Sequence, residues 1–258
     1  MSIITISRSA FSGGRALAEC LARKLGYRCV DREVIIERAA ASGISQDDLR
    51  DALQKPPSLI ERFSHRRYRC LAMIQAALTE EIRTGKVIYH GLAGHLLLSS
   101  EPYILRTRII APMEYRIGSA QKRMMLGREQ ALAHLEKVDQ ERQKWTQYLY
   151  GVDGGDPALY DIVLNLEHTS MEQACSTIAT LANVRCFGMT PKIQKQLDDM
   201  ALASRVKTTL AFHASTSELE MEITADGGVI SIGGNIPAYR FDEVKDIVRA
   251  VPGVTDVH

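Results

Sequence analysis

Cysteine is scarce in this sequence, and its spacing excludes the common cysteine-based sites. The five cysteines form no C-x-x-C pair, and their number is odd. We therefore expect neither a zinc site nor a disulfide framework, but reduced thiols, several of them small core residues. The seven histidines also lack metal-ligand spacing, so no metal site is predicted.

Long apolar runs and a leader segment are missing as well. No apolar stretch approaches the about 20 residues that a membrane-spanning helix needs. No charged start followed by an apolar segment precedes the first predicted strand. A cytoplasmic location is the resulting expectation.

Net charge of one sign is absent too, because 32 Lys and Arg residues balance 31 Asp and Glu residues to give +1. Bulk electrostatics therefore indicate no class of partner. Basic residues do cluster at 61–69 and at 106–128, where Glu114 is the one acidic residue of the second segment. Such clusters suit phosphate-bearing ligands, although a solvated face is the commoner explanation.

The most informative feature that is present is the N-terminal segment. Residues 2–7 are mostly apolar and β-branched, 8–15 are mostly small, and 16–26 have leucines at helical spacing. A strand, loop and helix in this order are typical of a nucleotide-binding α/β domain, because the loop N–H groups and the helix N-terminus bind anions. The loop departs from G-x-x-x-x-G-K-[ST], since no lysine or hydroxyl follows Gly14 and Phe11 lies within it.

Strands and helices alternate over the rest of the first part of the chain. Ligands of the parallel sheet that this implies bind at the carboxyl ends of strands, where the loop 8–15, Asp31, Gly91 and Pro112 would meet. We expect helices on both faces of the sheet. Strands are predicted near 27–30, 87–89, 103–110 and 162–166, and helices near 34–42, 58–84, 92–99, 113–126, 129–149 and 170–182.

The pattern changes after about residue 187. A helix at about 192–211 is followed by two alternating stretches, 218–224 and 228–232, around the hairpin signal Asp-Gly-Gly. A further helix at 238–250 and a last strand near 254–257 complete a separate small α+β domain.

A set of short motifs carries a resemblance to a known family. The segment 1–185 resembles the cytidylate kinase-like family of P-loop nucleoside monophosphate kinases. This implies an α/β, P-loop kinase-like parallel sheet in a nucleotide-binding domain at 1–187. It also implies ATP-dependent phosphoryl transfer to a cytidylate-like nucleoside monophosphate or a related acceptor, with ATP and Mg²⁺ bound. The motifs are Ile4–Arg8, Ser12–Arg15, Asp31–Glu33, Val87–Gly91, Arg108–Pro112, Arg116–Ile117, Asp139–Arg142 and Tyr160–Asp161.

The tail, 188–258, is similar to a BON domain. Gly227–Gly234 and Val251–Val257 carry that similarity. It implies an attached binding or regulatory module for a protein or lipid partner, not a catalytic one.

Two departures from the family pattern affect the site. Phe11 stands where the family loop usually has its first glycine, and so places a Cβ and a ring where backbone should approach phosphate. Leu92 follows Gly91 where family members commonly have arginine, which removes a charge from the sheet edge.

The loop and the next strand supply the nucleotide-binding candidates. Loop N–H groups would bind phosphate, and Arg15 would replace the missing lysine as a planar clamp over the β- and γ-phosphates; a turn without a ligand is the alternative. Asp31 would orient the acceptor or hold magnesium through water, or it would cap the following helix. The candidates are Ser12, Gly13, Gly14, Arg15, Ala16, Asp31 and Arg32.

Arg15, Arg116 and Arg142 are the catalytic candidates. Arg142 falls on the apolar stripe of its helix, between Val138 and Trp145, and a charge on an inward face needs an anion or a carboxylate. The resemblance places Arg116 and Arg142 in a lid over phosphates. Alternatively, Arg142 snorkels or pairs with Asp139 or a neighbouring glutamate.

Three functions fit these observations to different degrees. Our leading hypothesis is an ATP-dependent kinase with a degenerate P-loop, acting on nucleotide substrates. The second is a catalytically lapsed nucleotide sensor or scaffold whose BON-like tail binds a partner. Nucleic-acid binding through 106–128 is the weakest, and none is expected; a homodimer is compatible with the sequence.

Overall fold

The computed structural model describes residues 2–41, 43–54, 65–91, 93–98, 103–184 and 187–258. The strands are β1 (Ile3–Arg8), β2 (Arg28–Asp31), β3 (Val87–His90), β4 (Ile104–Ile110), β5 (Ile162–Asn165), β6 (Glu222–Asp226), β7 (Val229–Gly233) and β8 (Asp256–Val257). The helices are α1 (Gly14–Leu25), α2 (Arg32–Ala40), α3 (Gln46–Gln54), α4 (Arg66–Ile82), α5 (Gly94–Leu97), α6 (Met113–Met124), α7 (Arg128–Tyr150), α8 (Met171–Ala182), α9 (Pro191–Phe212) and α10 (Phe241–Arg249). Leu92, Cys186 and the first residues of the predicted helix 58–84 lie outside the described residues.

The chain forms two compact units. The first comprises Met1–Val34, Leu53–Pro56 and Gly85–Met189, and the second comprises Ile35–Ala52, Pro57–Thr84 and Thr190–His258. The second unit thus contains most of the chain between β2 and β3 together with the C-terminal tail, whereas we had placed that stretch in the domain 1–187. The sequence limits 1–187 and 188–258 stay a prediction.

The first unit contains a five-stranded parallel sheet in the order β2-β3-β1-β4-β5. β1 lies at its centre, with Ile4 level with Ile88 of β3 and Leu105 of β4. All four residues of β3 are buried, as in a parallel strand that is covered on both faces. The predicted α/β fold with a parallel sheet and flanking helices is therefore confirmed.

Helices α1 and α8 cover one part of this sheet. α1 buries Leu17 and Leu21, at the helical spacing seen in the sequence, in a cluster that also contains Ile178 of α8. Cys20 and Cys175 form a disulfide between the two helices, with Cα atoms 6.3 Å apart. Our expectation of reduced thiols is wrong for this pair, because a count along the sequence ignores that the two helices pack side by side.

The second unit combines helices with a small three-stranded sheet in the order β6-β7-β8. β6 and β7 form the predicted antiparallel hairpin at Asp-Gly-Gly, and β8 joins β7 in parallel. Its core contains Leu202 and Val206 of α9, Ile230 of β7 and Val244 of α10. α4 belongs to this unit, since the Tyr68 hydroxyl donates a hydrogen bond of 3.1 Å to the carbonyl oxygen of the residue before β6.

No helix within the described ranges is both long enough and apolar enough to cross a membrane.

Candidate functional site

The phosphate loop joins β1 to α1 at the carboxyl edge of the sheet. β1 ends at Arg8, and α1 begins at Gly14 after Gly13, whose φ of 91° suits glycine. A Cβ on Gly13 would lie 2.8 Å from the Met171 Cε, so a side chain there would also crowd α8. The first N–H groups of α1 have no carbonyl partner in their own helix, and this end of the helix favours a negative charge.

Phe11 has a left-handed backbone conformation, with φ of 59°. A residue with a Cβ adopts this conformation at a cost of about 1–2 kcal/mol. Its ring packs against a small apolar cluster that includes Ala10 and Leu135, and meets His134 edge-on at 6.0 Å between centroids. The turn thus requires the conformation that the family's glycine adopts without strain.

Ser12 fixes the loop to the neighbouring strand. Its buried hydroxyl lies 3.0 Å from the Ser9 carbonyl oxygen and 3.2 Å from that of Ile109 in β4. Its N–H donates to the Ser9 carbonyl oxygen at 3.3 Å. The predicted backbone donor of Ser12 is therefore used inside the loop.

Two arginines meet at the loop, Arg8 at the end of β1 and Arg142 of α7. Arg142 of α7 donates from Nη1 to the carbonyl oxygen of Arg8 at 3.3 Å. The Nη1 of Arg8 is buried and has no hydrogen-bond partner within the described residues. Burial first, and the neighbouring charge of Arg8 second, lower the pKa of Arg142 to about 10. Burial also lowers the pKa of Arg8, followed by the charge of Arg32.

This electrostatic arrangement favours an incoming anion. Neither Arg8 nor Arg142 makes a hydrogen bond to a carboxylate in the described part of the chain. The charge of Arg8 therefore repels that of Arg142 in a partly desolvated place. An anion between them would relieve that repulsion and supply charge-assisted hydrogen bonds.

A cavity of about 250 Å³ opens beside this pair, and we call it the arginine cavity. It lies at the carboxyl ends of β1, β2 and β3, where ligands of parallel sheets bind. Its cations outnumber its carboxylates, as a site for a phosphate-bearing ligand requires. Its lining consists of Ser7, Arg8, Arg15, Asp31, Arg32, Glu33, His90, Gly91, Arg123 and Arg142.

Asp31 both lines this cavity and caps a helix. Its carboxylate accepts the Val34 N–H at 2.9 Å, so Asp31 caps the helix, and its role toward an acceptor or magnesium stays a prediction. Arg32 pairs with the adjacent Glu33 at 2.7 Å, and exposed Arg15 pairs with Glu19 at 2.9 Å. These two arginines therefore need to release or share a carboxylate before they bind a phosphate.

His90 adds a neutral side chain to the cavity wall. Burial, and then the charge of Arg8, lower the pKa of His90 to about 4. Its buried Nδ1 has no hydrogen-bond partner among the described residues. The imidazole is therefore uncharged at neutral pH and is available for one further hydrogen bond.

Arg116 is placed differently from Arg142. It is 6% exposed, donates from Nε to the Ala10 carbonyl oxygen at 2.7 Å, and pairs with Asp139. The other carboxylate oxygen of Asp139 accepts the Ala10 N–H at 3.1 Å. Arg116 thus clamps the loop and does not line the arginine cavity. Asp139 pairs with Arg116, although we had considered Asp139 as a partner of Arg142.

Other members of the basic segment 106–128 are also paired. Arg106 forms an ion pair with Asp161 at 2.9 Å, and Arg128, at the end of the segment, pairs with Glu114 at 2.5 Å. Much of the segment's local positive charge is therefore balanced within the first unit.

A second cavity, of about 240 Å³, shares Ser7, Arg8 and Arg142 with the arginine cavity. We call it the Tyr160 cavity. His95 and Tyr160 form part of its wall, with ring centroids 4.7 Å apart. The guanidinium pair thus borders both spaces.

Sequence reasoning found part of this constellation. The structure brings together Arg15, Asp31, Arg32 and Arg142, whereas Ser12, Gly13, Gly14, Ala16 and Arg116 are not in the cavity lining. The sequence analysis did not identify Arg8, His90 and Arg123 as site residues. Arg8 and His90 each come directly after a predicted strand, 2–7 and 87–89. That position at the carboxyl end of a strand was the available signal.

No group of three His, Cys, Asp or Glu side chains in the described ranges is arranged to hold a metal ion. A metal bound here would therefore depend on oxygens of the ligand as well as on protein carboxylates such as Asp31.

The five-stranded parallel sheet, the loop between β1 and α1 and the cation-rich edge are those of a kinase-like nucleotide-binding protein. The sequence profile of the cytidylate kinase-like family matches residues 3–168. The chain belongs to this family. The tail beyond residue 168 is outside that match.

Curated relatives agree with this assignment. A cytidylate kinase of Ignicoccus hospitalis is 26% identical over 182 residues, which are 69% of this chain and 97% of that protein. A cytidylate kinase of Pyrococcus horikoshii is 26% identical over 172 residues, or 66% of this chain and 82% of that protein. A solved structure of an uncharacterized protein from Eubacterium ventriosum has a TM-score of 0.57 at 18% identity and covers 72% of this chain and 100% of its own, which supports the fold.

Proposed function

We propose that this protein transfers the γ-phosphoryl group of ATP to a nucleoside monophosphate, cytidylate-like, or to a related phosphate-bearing acceptor. The single observation that carries the proposal is the cation-rich cavity beside the phosphate loop, where neither Arg8 nor Arg142 has a carboxylate partner among the described residues. Phosphoryl transfer needs such positioned charge more than it needs covalent chemistry.

The residues of the arginine cavity and of the loop divide the work of this mechanism. An oxygen of the acceptor attacks the γ-phosphorus, the bond from that phosphorus to the bridging oxygen breaks, and ADP leaves. Arg142 and Arg8 stabilise the negative charge on the transferring group, and Arg15 lies over the β- and γ-phosphates. The N–H groups of the loop and of the start of α1, from Gly13 to Ala16, bind phosphate oxygens.

Asp31 and Arg32 serve the acceptor side of the same cavity. Asp31 provides a hard oxygen that would hold Mg²⁺ through water. Bound Mg²⁺ supplies charge neutralisation on the β- and γ-phosphates. Arg32 would exchange its contact with Glu33 for the phosphate of the acceptor.

A second candidate function is a catalytically lapsed nucleotide sensor or scaffold. The strained Phe11 and the use of the Ala10 N–H by Asp139 favour it, because both reduce what the loop offers to a phosphate. In this reading the BON-like domain at 188–258 binds a protein or lipid partner. A homodimer and a cytoplasmic location belong to the same set of proposals.

Thermal unfolding with nucleoside mono-, di- and triphosphates, with and without Mg²⁺, is the first test. A ligand at 100 times its Kd should stabilise the fold by about 2.7 kcal/mol. A shift with ATP and with one monophosphate supports the kinase and selects the acceptor for a phosphoryl-transfer assay. Nucleotide binding without turnover would favour the sensor. No shift with any nucleotide would contradict the kinase and the sensor, and would favour the scaffold.

A further inference from the structure

The Tyr160 cavity has no assigned role in the chemistry above. It lies directly beyond the guanidinium pair, because Ser7, Arg8 and Arg142 line both cavities. A ligand whose phosphate lies in the arginine cavity would therefore extend its remaining atoms into the Tyr160 cavity. The question is which kind of chemical group this second space accepts.

The ring of Tyr160 is not available for stacking. The guanidinium carbon of Arg108 lies 5.4 Å from the centre of the ring, and the ring of His95 lies 4.7 Å from it with 47° between the planes. The Tyr160 hydroxyl donates to the Gly154 carbonyl oxygen at 2.7 Å and lies 3.1 Å from the Ser7 Oγ. Since the neighbours hold the ring and its hydroxyl, a flat nucleobase finds no free aromatic surface there.

The wall of this cavity carries several hydrogen-bonding side chains. His95 is 6% exposed, and its Nε2 has no hydrogen-bond partner among the described residues. The carboxylate of Asp153 accepts the Gly155 N–H at 2.8 Å through one oxygen, and so keeps a second oxygen for a ligand. The amide of Gln143 also lines the space.

These groups match a ligand that carries several hydroxyl groups. Each hydroxyl donates one hydrogen bond and accepts others, so it pairs equally well with a carboxylate, an amide or an imidazole nitrogen. A site of this kind discriminates against analogues that lack the hydroxyls, because its own polar groups are then left unpaired.

We infer that the Tyr160 cavity binds the hydroxylated carbon skeleton of the acceptor, a sugar or similar polyol whose phosphate lies in the arginine cavity, without stacking a base. This inference rests on the proposed function. The skeleton can come from the ribose of a nucleotide or from a base-free sugar phosphate. In either case, the hydroxyls and the phosphate carry the affinity, and the base contributes little.

The test is a calorimetric titration of the full chain with four ligands: cytidine monophosphate, ribose 5-phosphate, butyl phosphate and inorganic phosphate. Ribose 5-phosphate should bind within threefold of cytidine monophosphate. Butyl phosphate, which has a similar reach and no hydroxyls, should bind about tenfold more weakly or worse. Ribose 5-phosphate binding tenfold weaker than the nucleotide, or butyl phosphate binding as well as the sugar, would overturn the inference.

Single-residue variants test whether the sugar phosphate binds in the Tyr160 cavity. His95→Phe keeps a ring against Tyr160 and removes the nitrogens, so ribose 5-phosphate should bind about tenfold more weakly while inorganic phosphate binds as before. His258→Phe, at an exposed histidine of the second unit, is the matched control. Asp153→Asn provides an independent check if the first variant folds poorly. Equal loss for sugar phosphate and inorganic phosphate would contradict the assignment of this cavity.

An ATP titration separates this inference from the function on which it rests. If ATP and cytidine monophosphate bind and the sugar phosphate does not, the inference fails and the kinase stands. If no phosphate-bearing ligand binds, both fail.

Discussion

Arg116 and Arg142 lie on consecutive helices of one unit, and both were predicted to close over phosphates. Arg116 has a carboxylate partner in Asp139 and a carbonyl partner in Ala10. Arg142 has the Arg8 carbonyl oxygen, and after burial it is the charge of Arg8 that lowers its pKa most. The arginine with a carboxylate partner therefore holds the loop in place, whereas the other one keeps an uncompensated charge, and our proposal assigns it to an anion.

The largest expected effect is on catalysis by Arg142. Arg142→Ala should lower phosphoryl transfer by about 100-fold or more, the loss that follows removal of one preorganised donor. Unfolding free energy should change by less than about 1 kcal/mol, since one hydrogen bond is removed. Steady-state kinetics and urea unfolding measure the two quantities.

Arg128→Ala is the matched control for this variant, because Arg128 lies on the same helix and pairs with Glu114 on the exposed surface. A loss below threefold in Arg142→Ala would count against its role in transfer.

Arg116 should show the opposite balance between stability and activity. Arg116→Met keeps an apolar stem and leaves Asp139 and the Ala10 carbonyl oxygen without their cation, so the free energy of unfolding should fall by about 2 kcal/mol. Urea unfolding measures it. Arg128→Met breaks an exposed pair and should cost less than about 1 kcal/mol. Equal losses in the two variants would show that the buried clamp is no stronger than a surface pair.

The pH dependence of stability tests the surroundings of Arg8 and Arg142 through the neighbouring His90. Burial, followed by Arg8, lowers the pKa of His90 to about 4 from an unfolded value near 6.5. Between these values the unfolded chain binds more protons, so this contribution to stability is complete above about pH 6.5 and is lost as pH falls toward 4. Phosphate in the arginine cavity should reduce the loss, because an anion favours protonated His90.

Urea unfolding of the parent and of His90→Gln at pH 7, 5.5 and 4.5 measures this effect. The parent should lose more stability than the variant over this range, and His258→Gln should behave like the parent. A parallel decline in parent and His90→Gln would refute the assignment.

The smallest expected effect concerns Phe11, which follows Ala10, the residue that Arg116 holds. Phe11→Gly and Phe11→Ala both remove the ring, and only alanine keeps a Cβ at a φ of 59°. Phe11→Gly should therefore be more stable than Phe11→Ala by about 1 kcal/mol, as measured by thermal or urea unfolding. If the alanine variant is the more stable one, the loop does not require a left-handed residue at this position.

Local patterns in the sequence predicted much of the first unit. β1, the loop and α1 follow from an apolar β-branched stretch, small residues and leucines at helical spacing. Arg142 was found because its position on the apolar stripe of α7 can be counted along the chain. The β6–β7 hairpin was found because Asp-Gly-Gly supplies residues suited to positive φ.

Long-range packing accounts for what was missed. Arg8 and His90 become neighbours of one cavity because β1 and β3 pair in the sheet, and no local pattern records that pairing. The disulfide between Cys20 and Cys175 depends in the same way on α1 lying beside α8. The inclusion of α4 in the second unit follows from its packing on α9, far along the chain.

The sequence by itself determined that Arg142 carries a charge on an inward face of its helix, because helical periodicity depends on neighbours a few positions apart. The tertiary structure alone decided which of those charges found a partner. Asp139 is three residues from Arg142 and 23 from Arg116, and it pairs with Arg116 across two packed helices. The geometry of that packing, and not sequence distance, left Arg142 without a carboxylate partner among the described residues.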